Sequence, residues 1–295
     1  MALVRSVVSA AWLAEAIGSA KAKAGALRVL DCSWHLPKLQ RDGREEFGGK
    51  HIPGSLFFDL EECSDQSSPY QHMMPRQEHF SRYVGNLGIC NNTHVVIYDA
   101  SDFGLFCAPR VWWMFRAFGH SLVSVLDGGL VNWCREGLPV TSDLQDYPLA
   151  EYKTNAKSWV KTYQEILDNI HSKEFQLVDT RPEGRFRGIQ PEPREGFESG
   201  HIPGSINIPF NTFLHSEFRK MKSEKELQRM FEEHNIDLNK PLVGTCGSGV
   251  SACHVALAAY LCGKEDVMIY DGAWMEWFKR ADPSYIISER DEKVK

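Results

Sequence analysis

The sequence has no long hydrophobic run and no excess of positive charge. Although 43% of its 295 residues are hydrophobic, no apolar stretch approaches the roughly 20 residues that a membrane-spanning helix needs, so we expect no membrane role. The formal net charge is -6, which gives no electrostatic support for binding nucleic acid. The composition is that of a globular protein long enough to bury a sizeable core.

The sequence also lacks paired cysteines. Its 8 cysteines include no C-x-x-C pair, and a chain of this size does not need a disulfide framework. The spacing of Cys246, Cys253, His254 and Cys262 matches no standard zinc motif. We therefore expect neither a metal nor an organic cofactor, and a reducing compartment is the default for such cysteines.

Residues 1–17 carry Arg5 but have no acidic residue before Glu15. This pattern is compatible with a weak mitochondrial signal. The spacing of its apolar residues, Val7 and Val8 among them, favours a first amphipathic helix instead.

Several short motifs occur twice along the chain, in the same order. The segment HIPGS begins at His51 and again at His201. Before each copy lies a β-branched run that ends in aspartate, and after each copy an Asp-Gly turn leads into a stretch with tryptophan. A repeat of this length indicates two duplicated domains rather than a solenoid.

In both halves, β-branched runs alternate with helical stretches, as at 94–100 and 108–119. This alternation predicts an α/β fold with two tandem domains, each a mainly parallel sheet flanked by helices. A polar stretch without a clear period separates the halves and is typical of a linker. The predicted divisions are an N-terminal domain at 1–140, a linker at 141–156, a C-terminal domain at 157–288 and a polar tail at 289–295.

The two halves differ at Cys246, because a constant offset places Asp102 opposite it and so predicts a first domain that is non-catalytic. Cys246 follows a predicted strand, at the edge where open α/β sheets bind ligands. The loop CGSGVSA has small side chains, so Gly247 and Gly249 allow backbone N–H groups to converge on an anion. The following helix start favours a thiolate. The alternative is that Cys246 is simply a small buried hydrophobic residue.

The chain has no arginine six residues after Cys246. A cysteine phosphatase needs one there to bind a phosphate dianion, but this position is Ala252. Phosphatase chemistry is therefore disfavoured. Sulfur transfer through a persulfide needs no such arginine and fits the same loop.

The repeated HIPG motif, the Asp-Gly turns and the CGSGVSA loop together resemble the rhodanese-type sulfurtransferase family, over nearly the whole chain. Within that family, CGSGV resembles the branch that takes sulfur from 3-mercaptopyruvate, whereas members that use thiosulfate typically carry CRKGVTA. The segment FRGIQPEPREG also resembles the mercaptopyruvate branch. One departure is Ser251, which stands where the family usually has threonine and keeps the hydroxyl.

The resemblance implies roles for particular residues. Cys246 is expected to be the nucleophile that carries the persulfide, and Ser248 with His72 is expected to relay a proton. Glu61 is the acid expected behind His72; because the family has aspartate there, Asp59 and Asp65 are alternatives. The residues expected to bind substrate are Arg185, Arg194, Gly247, Gly249 and Val250.

The implied activity is sulfur transfer from 3-mercaptopyruvate to thioredoxin, other thiols or cyanide, which yields pyruvate and supports hydrogen sulfide production. The implied state is a monomer, with a redox-linked dimer as an alternative, in the cytoplasm and mitochondrion. Two other functions remain open: a thiosulfate:cyanide sulfurtransferase and a catalytically silent rhodanese module that binds partners. The intact loop around Cys246 favours an enzyme over the silent module.

Overall fold

The computed structural model describes residues 4–19 and 25–290, and the chain divides into two compact units. The first unit contains the described residues up to 66, together with 74–157 and 216–221; the second contains 67–73, 158–215 and the described residues from 222 onward. The segment 141–156 forms no helix and lies within the first unit. Of the predicted tail, residues 291–295 lie outside the described part of the chain.

The first unit is a five-stranded sheet with helices between its strands. Its elements are β1 (Val7–Val8), α1 (Ala10–Ile17), β2 (Leu27–Asp31), α2 (Gly43–Gly49), β3 (Ser55–Phe57), α3 (Gln77–Asn86), β4 (His94–Tyr98), α4 (Ala108–Ala117), β5 (Val123–Leu126) and α5 (Gly129–Arg135), with a 3₁₀ turn at Pro37–Leu39. The strand order is β1-β5-β4-β2-β3, and every neighbouring pair is parallel.

The second unit repeats this arrangement. Its elements are β6 (Val160–Lys161), α6 (Tyr163–Ser172), β7 (Gln176–Asp179), α7 (Glu183–Phe186), β8 (Ile206–Asn207), α8 (Glu224–Glu233), β9 (Leu242–Thr245), α9 (Cys253–Leu261), β10 (Met268–Tyr270) and α10 (Ala273–Arg280), with 3₁₀ turns at Phe210–Phe213 and Pro283–Tyr285. The order β6-β10-β9-β7-β8 is again parallel throughout. The predicted α/β fold and the duplication are confirmed.

Local sequence explains why these elements form. The strands at the centre of each sheet are short apolar runs, and all residues of β2 and β9 are buried, as expected for a parallel sheet covered by helices on both faces. Helix α6 begins with a capping box between Thr162 and Glu165. Helix α9 is apolar on all sides and is buried along most of its length.

The prediction of a helix through Val7 and Val8 is wrong. These two residues form strand β1, which pairs with β5 at the edge of the sheet. The helix begins only at Ala10, because Ser9 caps it by accepting a hydrogen bond from the Trp12 amide. Two consecutive β-branched residues fit an extended edge strand better than a helix turn.

The repeated histidines make the same local contact in both units. The ring of His51 stacks on Phe47 and its Nδ1 lies 2.6 Å from the Phe47 carbonyl oxygen. His201 stacks on Phe186 and its Nδ1 lies 2.8 Å from the Phe186 carbonyl oxygen. Since both units contain the same contact, this motif belongs to the scaffold.

The strand register corrects the predicted equivalence of Asp102 and Cys246. Tyr98, the last residue of β4, pairs with the end of β2, and Thr245, the last residue of β9, pairs with the end of β7. The next residues are Asp99 and Cys246, so Asp99 is the counterpart of the cysteine. A constant offset fails here because the loop before the helix has nine residues (99–107) in the first unit and seven (246–252) in the second. Asp102 lies within the longer loop, with a side chain that is 79% exposed.

Candidate active site

Cys246 lies at the carboxyl end of β9, in the loop that leads into α9, and is only 3% exposed. The loop is fixed from the other side by the start of α10. The Trp274 amide donates to the Cys246 carbonyl at 2.9 Å, and the Met275 amide donates to the Gly247 carbonyl at 3.2 Å. The thiol therefore has a defined place at the sheet edge where α/β proteins bind ligands.

The backbone around Cys246 presents hydrogen-bond donors. Gly249 has a φ of 76°, a left-handed conformation that favours glycine. Val250 is buried, and its carbonyl accepts from the Cys253 amide at 3.2 Å. Five other backbone amides of the loop have no hydrogen-bond acceptor among the described residues: those of 247, 248, 250, 251 and 252. These donors are available to an anion such as a thiolate or a persulfide.

Ser248 and His72 lie together in the second unit. His72 belongs to the segment 67–73, and its Nδ1 is 3.1 Å from the Ser248 hydroxyl oxygen. Both side chains are buried, and His72 has a φ of 63°, which is uncommon for a residue with a side chain. The geometry suits a proton relay that ends at the serine, two residues from the thiol.

Two arginines approach the loop at Gly247. A Cβ atom placed on Gly247 would lie 3.4 Å from Nη2 of Arg185 and 3.7 Å from Nη1 of Arg194. Arg194 also donates from Nε and Nη2 to the Gln71 side-chain oxygen at 3.1 and 3.0 Å, and its Nη2 lies 3.5 Å from the Ser248 hydroxyl. Two guanidinium groups therefore lie close to the loop beside the thiol, where their N–H donors can bind a carboxylate.

Arg185 is held by a row of buried charges that sequence reasoning missed. Glu192 Oε2 accepts from Nη2 and Nε of Arg185 at 2.7 and 3.1 Å, and Glu192 Oε1 accepts from Arg181 Nη1 at 2.9 Å. Arg181 in turn binds Asp179, with a shortest distance of 2.6 Å, and its guanidinium lies 4.2 Å from the centre of the Trp274 ring. The sequence signal was present, since Glu192 lies in the quoted segment FRGIQPEPREG between the two predicted arginines.

Electrostatics maintain the charge of Arg181. Burial lowers the pKa of this guanidinium, but the neighbouring carboxylates of Asp179 and Glu192 outweigh the effect, and the pKa is raised. Arg181 therefore remains cationic although its side chain is only 1% exposed. A buried charge of this kind requires its partners to stay ionised and in place.

The hydroxyl of Ser251 supports the other side of the loop. Its Oγ lies 3.0 Å from Oγ1 of Thr180, the residue that follows β7. The Thr180 amide donates to the Thr245 carbonyl at 3.0 Å. The hydroxyl of Ser251 thus makes this contact without the additional methyl group of the threonine that is usual in the family.

Glu61, the predicted acid behind His72, lies in the first unit. Its Oε1 accepts a hydrogen bond from Nε1 of Trp34 at 3.0 Å, and its role in a relay stays a prediction. Of the alternatives, Asp59 accepts from the amides of Glu61 and Glu62 through one oxygen and from Arg44 through the other. These contacts make Asp59 a residue that shapes its own loop.

The described residues contain no group of three or more histidine, cysteine or acidic side chains placed to hold a metal ion. Nor is any helix among them both long and apolar enough to cross a bilayer. The functional features found are those of the thiol loop and the charged residues around it.

Two parallel α/β units, one with a buried thiol in an amide-lined loop, are features of a protein that transfers a group through cysteine. A family model described as the rhodanese-like domain matches residues 9–136 and 162–280. The chain belongs to the rhodanese-like family, which confirms the resemblance seen in the sequence, and its relatives are sulfur-transferring enzymes.

Relatives of both donor types are similar to this chain. A human protein named 3-mercaptopyruvate sulfurtransferase is 57% identical over 97% of this chain and 96% of its own length. A protein of Gallus gallus named thiosulfate sulfurtransferase is 54% identical over 98% of each. The crystal structure of SseA from Escherichia coli, which is described as a 3-mercaptopyruvate sulfotransferase, has a TM-score of 0.80 and 34% identity, covering 92% of this chain and 99% of that one.

Proposed function

We propose that this chain transfers sulfur from 3-mercaptopyruvate, through a persulfide on Cys246, to a thiol acceptor or cyanide. The observation that carries the proposal is the approach of Arg185 and Arg194 to Gly247, the residue after the thiol. Guanidinium groups bind carboxylate and carbonyl oxygens through paired donors. We expect a 2-oxo acid bound to them to hold its CH2–SH group near Cys246.

The choice of donor depends on the loop rather than on overall similarity. Identities of 57% and 54% to relatives named for the two donors are too close to decide between them. Thiosulfate is a compact dianion, which suits a loop with its own basic side chains. 3-Mercaptopyruvate is a monoanion with an adjacent carbonyl. Gly247 and Ser248 add no charge, and the two arginines then supply the paired donors that a 2-oxo acid needs.

The reaction is a nucleophilic displacement at sulfur. The Cys246 thiolate attacks the substrate sulfur, a sulfur–sulfur bond forms, and the electron pair of the carbon–sulfur bond goes to the departing CH2 group. The resulting enolate of pyruvate takes up one proton, and the new persulfide loses the proton that the substrate thiol carried, so the number of protons is unchanged. The Cys246 persulfide anion is left in the loop, where backbone N–H groups stabilise it. An acceptor thiolate then attacks the outer sulfur and regenerates the Cys246 thiolate.

Proton delivery to the enolate is assigned to Ser248 and His72. The 3.1 Å distance between His72 Nδ1 and the serine hydroxyl supports this role. In the proposed sequence, Ser248 gives its proton to the enolate carbon while His72 replaces it. Glu61 as the acid that orients His72 remains a prediction from the sequence.

We assign the catalytic thiol to the C-terminal domain, at about 157–288. The N-terminal domain before the linker at 141–156 is non-catalytic apart from the segment 67–73, which belongs to the second unit and contributes His72. Thioredoxin is the proposed acceptor, with release of hydrogen sulfide, and the cytoplasm and mitochondrion are the proposed compartments. Subcellular fractionation and turnover measured with reduced thioredoxin test these assignments.

The persulfide is tested by intact-mass measurement after 3-mercaptopyruvate is added without an acceptor. We expect the wild type to gain the mass of one sulfur atom and Cys246→Ser to gain none. Cys134→Ser is the matched control, since Cys134 is an exposed cysteine of α5, and it should gain sulfur as the wild type does. A Cys246→Ser variant that still gains sulfur contradicts the mechanism.

Donor preference is tested by steady-state kinetics with both compounds and cyanide as the common acceptor. We expect the higher kcat/KM with 3-mercaptopyruvate. A higher kcat/KM with thiosulfate identifies the chain as a thiosulfate:cyanide sulfurtransferase. No turnover with either donor favours a silent rhodanese module.

A further inference from the structure

Glu192 is the carboxylate that contacts both Arg185 and Arg181. Its side chain is 4% exposed and that of Arg185 is 16% exposed. One oxygen, Oε2, accepts from two nitrogens of Arg185, and the other accepts from Arg181. The hydrogen bonds of Glu192 go to these two arginines and not to the thiol loop or Ser248. Any effect of Glu192 on the reaction must therefore pass through an arginine.

The contact leaves a defined part of Arg185 for the substrate. A guanidinium has five N–H donors in one plane. Glu192 occupies the edge formed by Nε and one donor of Nη2. The donors that remain belong to Nη1 and Nη2, and Nη2 lies near the Cβ position of Gly247. The side of the Arg185 guanidinium that Glu192 does not use therefore lies near the thiol loop.

Arg181, the second partner of Glu192, is itself held by several contacts. Arg181 is held by the carboxylate of Asp179 at the end of β7 and by the Gly200 carbonyl at 2.6 Å. The face of its guanidinium lies on the Trp274 ring, whose Nε1 donates to the Glu198 carbonyl at 2.9 Å. A rigid strand end and a helix start therefore anchor the carboxylate that orients Arg185.

The row also sets the local charge. Two carboxylates and two guanidinium groups alternate along it, in the order Asp179, Arg181, Glu192 and Arg185. With its charge balanced by Glu192, Arg185 offers directed hydrogen bonds more than net positive charge. That balance suits a monoanionic 2-oxo acid better than a dianion such as thiosulfate.

We infer that Glu192 is a positioning and specificity-determining residue, which acts through Arg185 and selects a 2-oxo acid donor over thiosulfate. This inference rests on the proposed function. It assigns to Glu192 no contact with the reacting atoms. Its removal should therefore change substrate binding far more than the chemical step.

The test is Glu192→Gln, with Glu289→Gln as the matched control. Glu289 binds the neighbouring Arg187, also through Nε and Nη2, but that pair is more exposed. In Glu192→Gln we expect KM for 3-mercaptopyruvate and the calorimetric Kd for pyruvate to rise together about ten- to hundredfold, as for the loss of a hydrogen bond to a charged group. We expect kcat to change much less, and the ratio of kcat/KM for thiosulfate to that for 3-mercaptopyruvate to rise. Glu289→Gln should match the wild type in all of these.

A double variant separates positioning from a general structural effect. In an Arg185→Ala background, Glu192→Gln should add little to the loss of pyruvate affinity, because the residue through which it acts is gone. If Glu192→Gln does not fold, Glu192→Asp takes its place, since it keeps the charge but withdraws it from Arg185, and the same joint rise in KM and Kd is expected. A folded Glu192 variant with wild-type Kd for pyruvate overturns the inference, as does a full effect that persists without Arg185.

The outcome is distinguishable from a failure of the proposed function. Pyruvate binding is measured by calorimetry and needs no turnover. A wild type that binds pyruvate but does not react with 3-mercaptopyruvate contradicts the proposed function alone. A wild type that turns over 3-mercaptopyruvate and is unaffected by Glu192→Gln contradicts the inference alone.

Discussion

Asp99 in the first unit and Cys246 in the second hold the same position in the fold. Each follows the last residue of a central strand. The carbonyl of Asp99 accepts from the Leu130 amide at 3.0 Å, and that of Cys246 accepts from the Trp274 amide at 2.9 Å. Leu130 and Trp274 are the second residues of α5 and α10, the equivalent helices. Two tandem units thus place a carboxylate and a thiol at the same strand end.

The Asp99 carboxylate, unlike the Cys246 thiol, accepts several hydrogen bonds from the amides of its own loop. Asp99 Oδ2 accepts from the amides of Phe106, Cys107 and Ala108, each at 2.8 Å. The first unit therefore fills its own loop with a fixed anion at the start of α4. In the second unit the amides of 247, 248, 250, 251 and 252 have no such acceptor among the described residues, which leaves them available to a bound anion.

Replacing the built-in anion should destabilise the first unit. We expect Asp99→Ala to lower the free energy of unfolding by about 1.5–3 kcal/mol, because a charged acceptor of several buried amides is lost. Asp102→Ala is the control, since its exposed pair with Arg41 should contribute less than about 1 kcal/mol. Urea unfolding followed by circular dichroism measures both variants. A loss in Asp99→Ala no larger than in Asp102→Ala contradicts this account.

Much of this arrangement could be predicted from the sequence. Periodic apolar runs and the repeated HIPGS segment were enough for the α/β fold and the duplication, because both depend on burial patterns that each unit repeats. The CGSGVSA loop pointed to Cys246 since small residues before a helix have few other uses. Prediction of Arg185, Arg194, Ser248 and His72 requires the family resemblance. In the structure the two arginines approach Gly247, and His72 and Arg194 lie within 3.5 Å of the Ser248 hydroxyl.

Other parts could not be read from one sequence. The counterpart of Cys246 was placed at Asp102 because an offset cannot reveal a two-residue difference between loops; only the strand register identifies Asp99. Glu192 does not stand out because a glutamate in a polar segment is usually exposed; its place between Arg185 and Arg194 in the sequence does not show that its carboxylate is buried against Arg181 and Arg185. Val7 and Val8 were misassigned since a pair of valines fits either an edge strand or a helix face.

The uncharged residue at position 247 should control donor choice. In Gly247→Lys we expect kcat/KM for 3-mercaptopyruvate to fall about tenfold or more, because a third cation displaces Arg185 and Arg194, which lie close to its Cβ position. Thiosulfate should lose less, since the added charge suits a dianion. Gly247→Ala is the matched control: its Cβ fits at ordinary contact distance, and both donors should be nearly unaffected. Equal losses for both donors in Gly247→Lys would indicate a steric effect alone.

Ser248 and His72 should act as one unit in proton transfer. Their buried contact at 3.1 Å leads us to expect that Ser248→Ala and His72→Ala each lower kcat for 3-mercaptopyruvate about 10²- to 10⁴-fold, the range for a lost general acid. The double variant should be little worse than either single one, as groups in one relay are not additive. Single-turnover release of pyruvate measures the step directly. Multiplicative losses in the double variant would show that the two residues act separately.

Asp31 should make the stability of the first unit depend on pH. It corresponds to Asp179, but Ser33 stands where Asp179 has its partner Arg181. Asp31 accepts hydrogen bonds from Ser33 instead, and no cation among the described residues forms an ion pair with it. Burial, with a smaller effect from nearby Asp99, raises the pKa of Asp31 from 3.8 to about 7. Between pH 3.8 and about 7, Asp31 is therefore protonated in the folded protein and ionised in the unfolded chain.

The extra proton of the folded state makes the protein less stable as the pH rises. The stability associated with the protonated Asp31 is fully present below pH 3.8 and is lost as the pH rises to about 7, at up to about 1.4 kcal/mol per pH unit. Asp31→Asn cannot ionise, so its melting temperature relative to the wild type should be higher at pH 8 than at pH 5. Asp102→Asn, an exposed carboxylate of the same unit, should show no such difference between the two pH values. If the shift for Asp31→Asn is the same at pH 5 and pH 8, Asp31 titrates in the folded protein as an ordinary exposed carboxylate does.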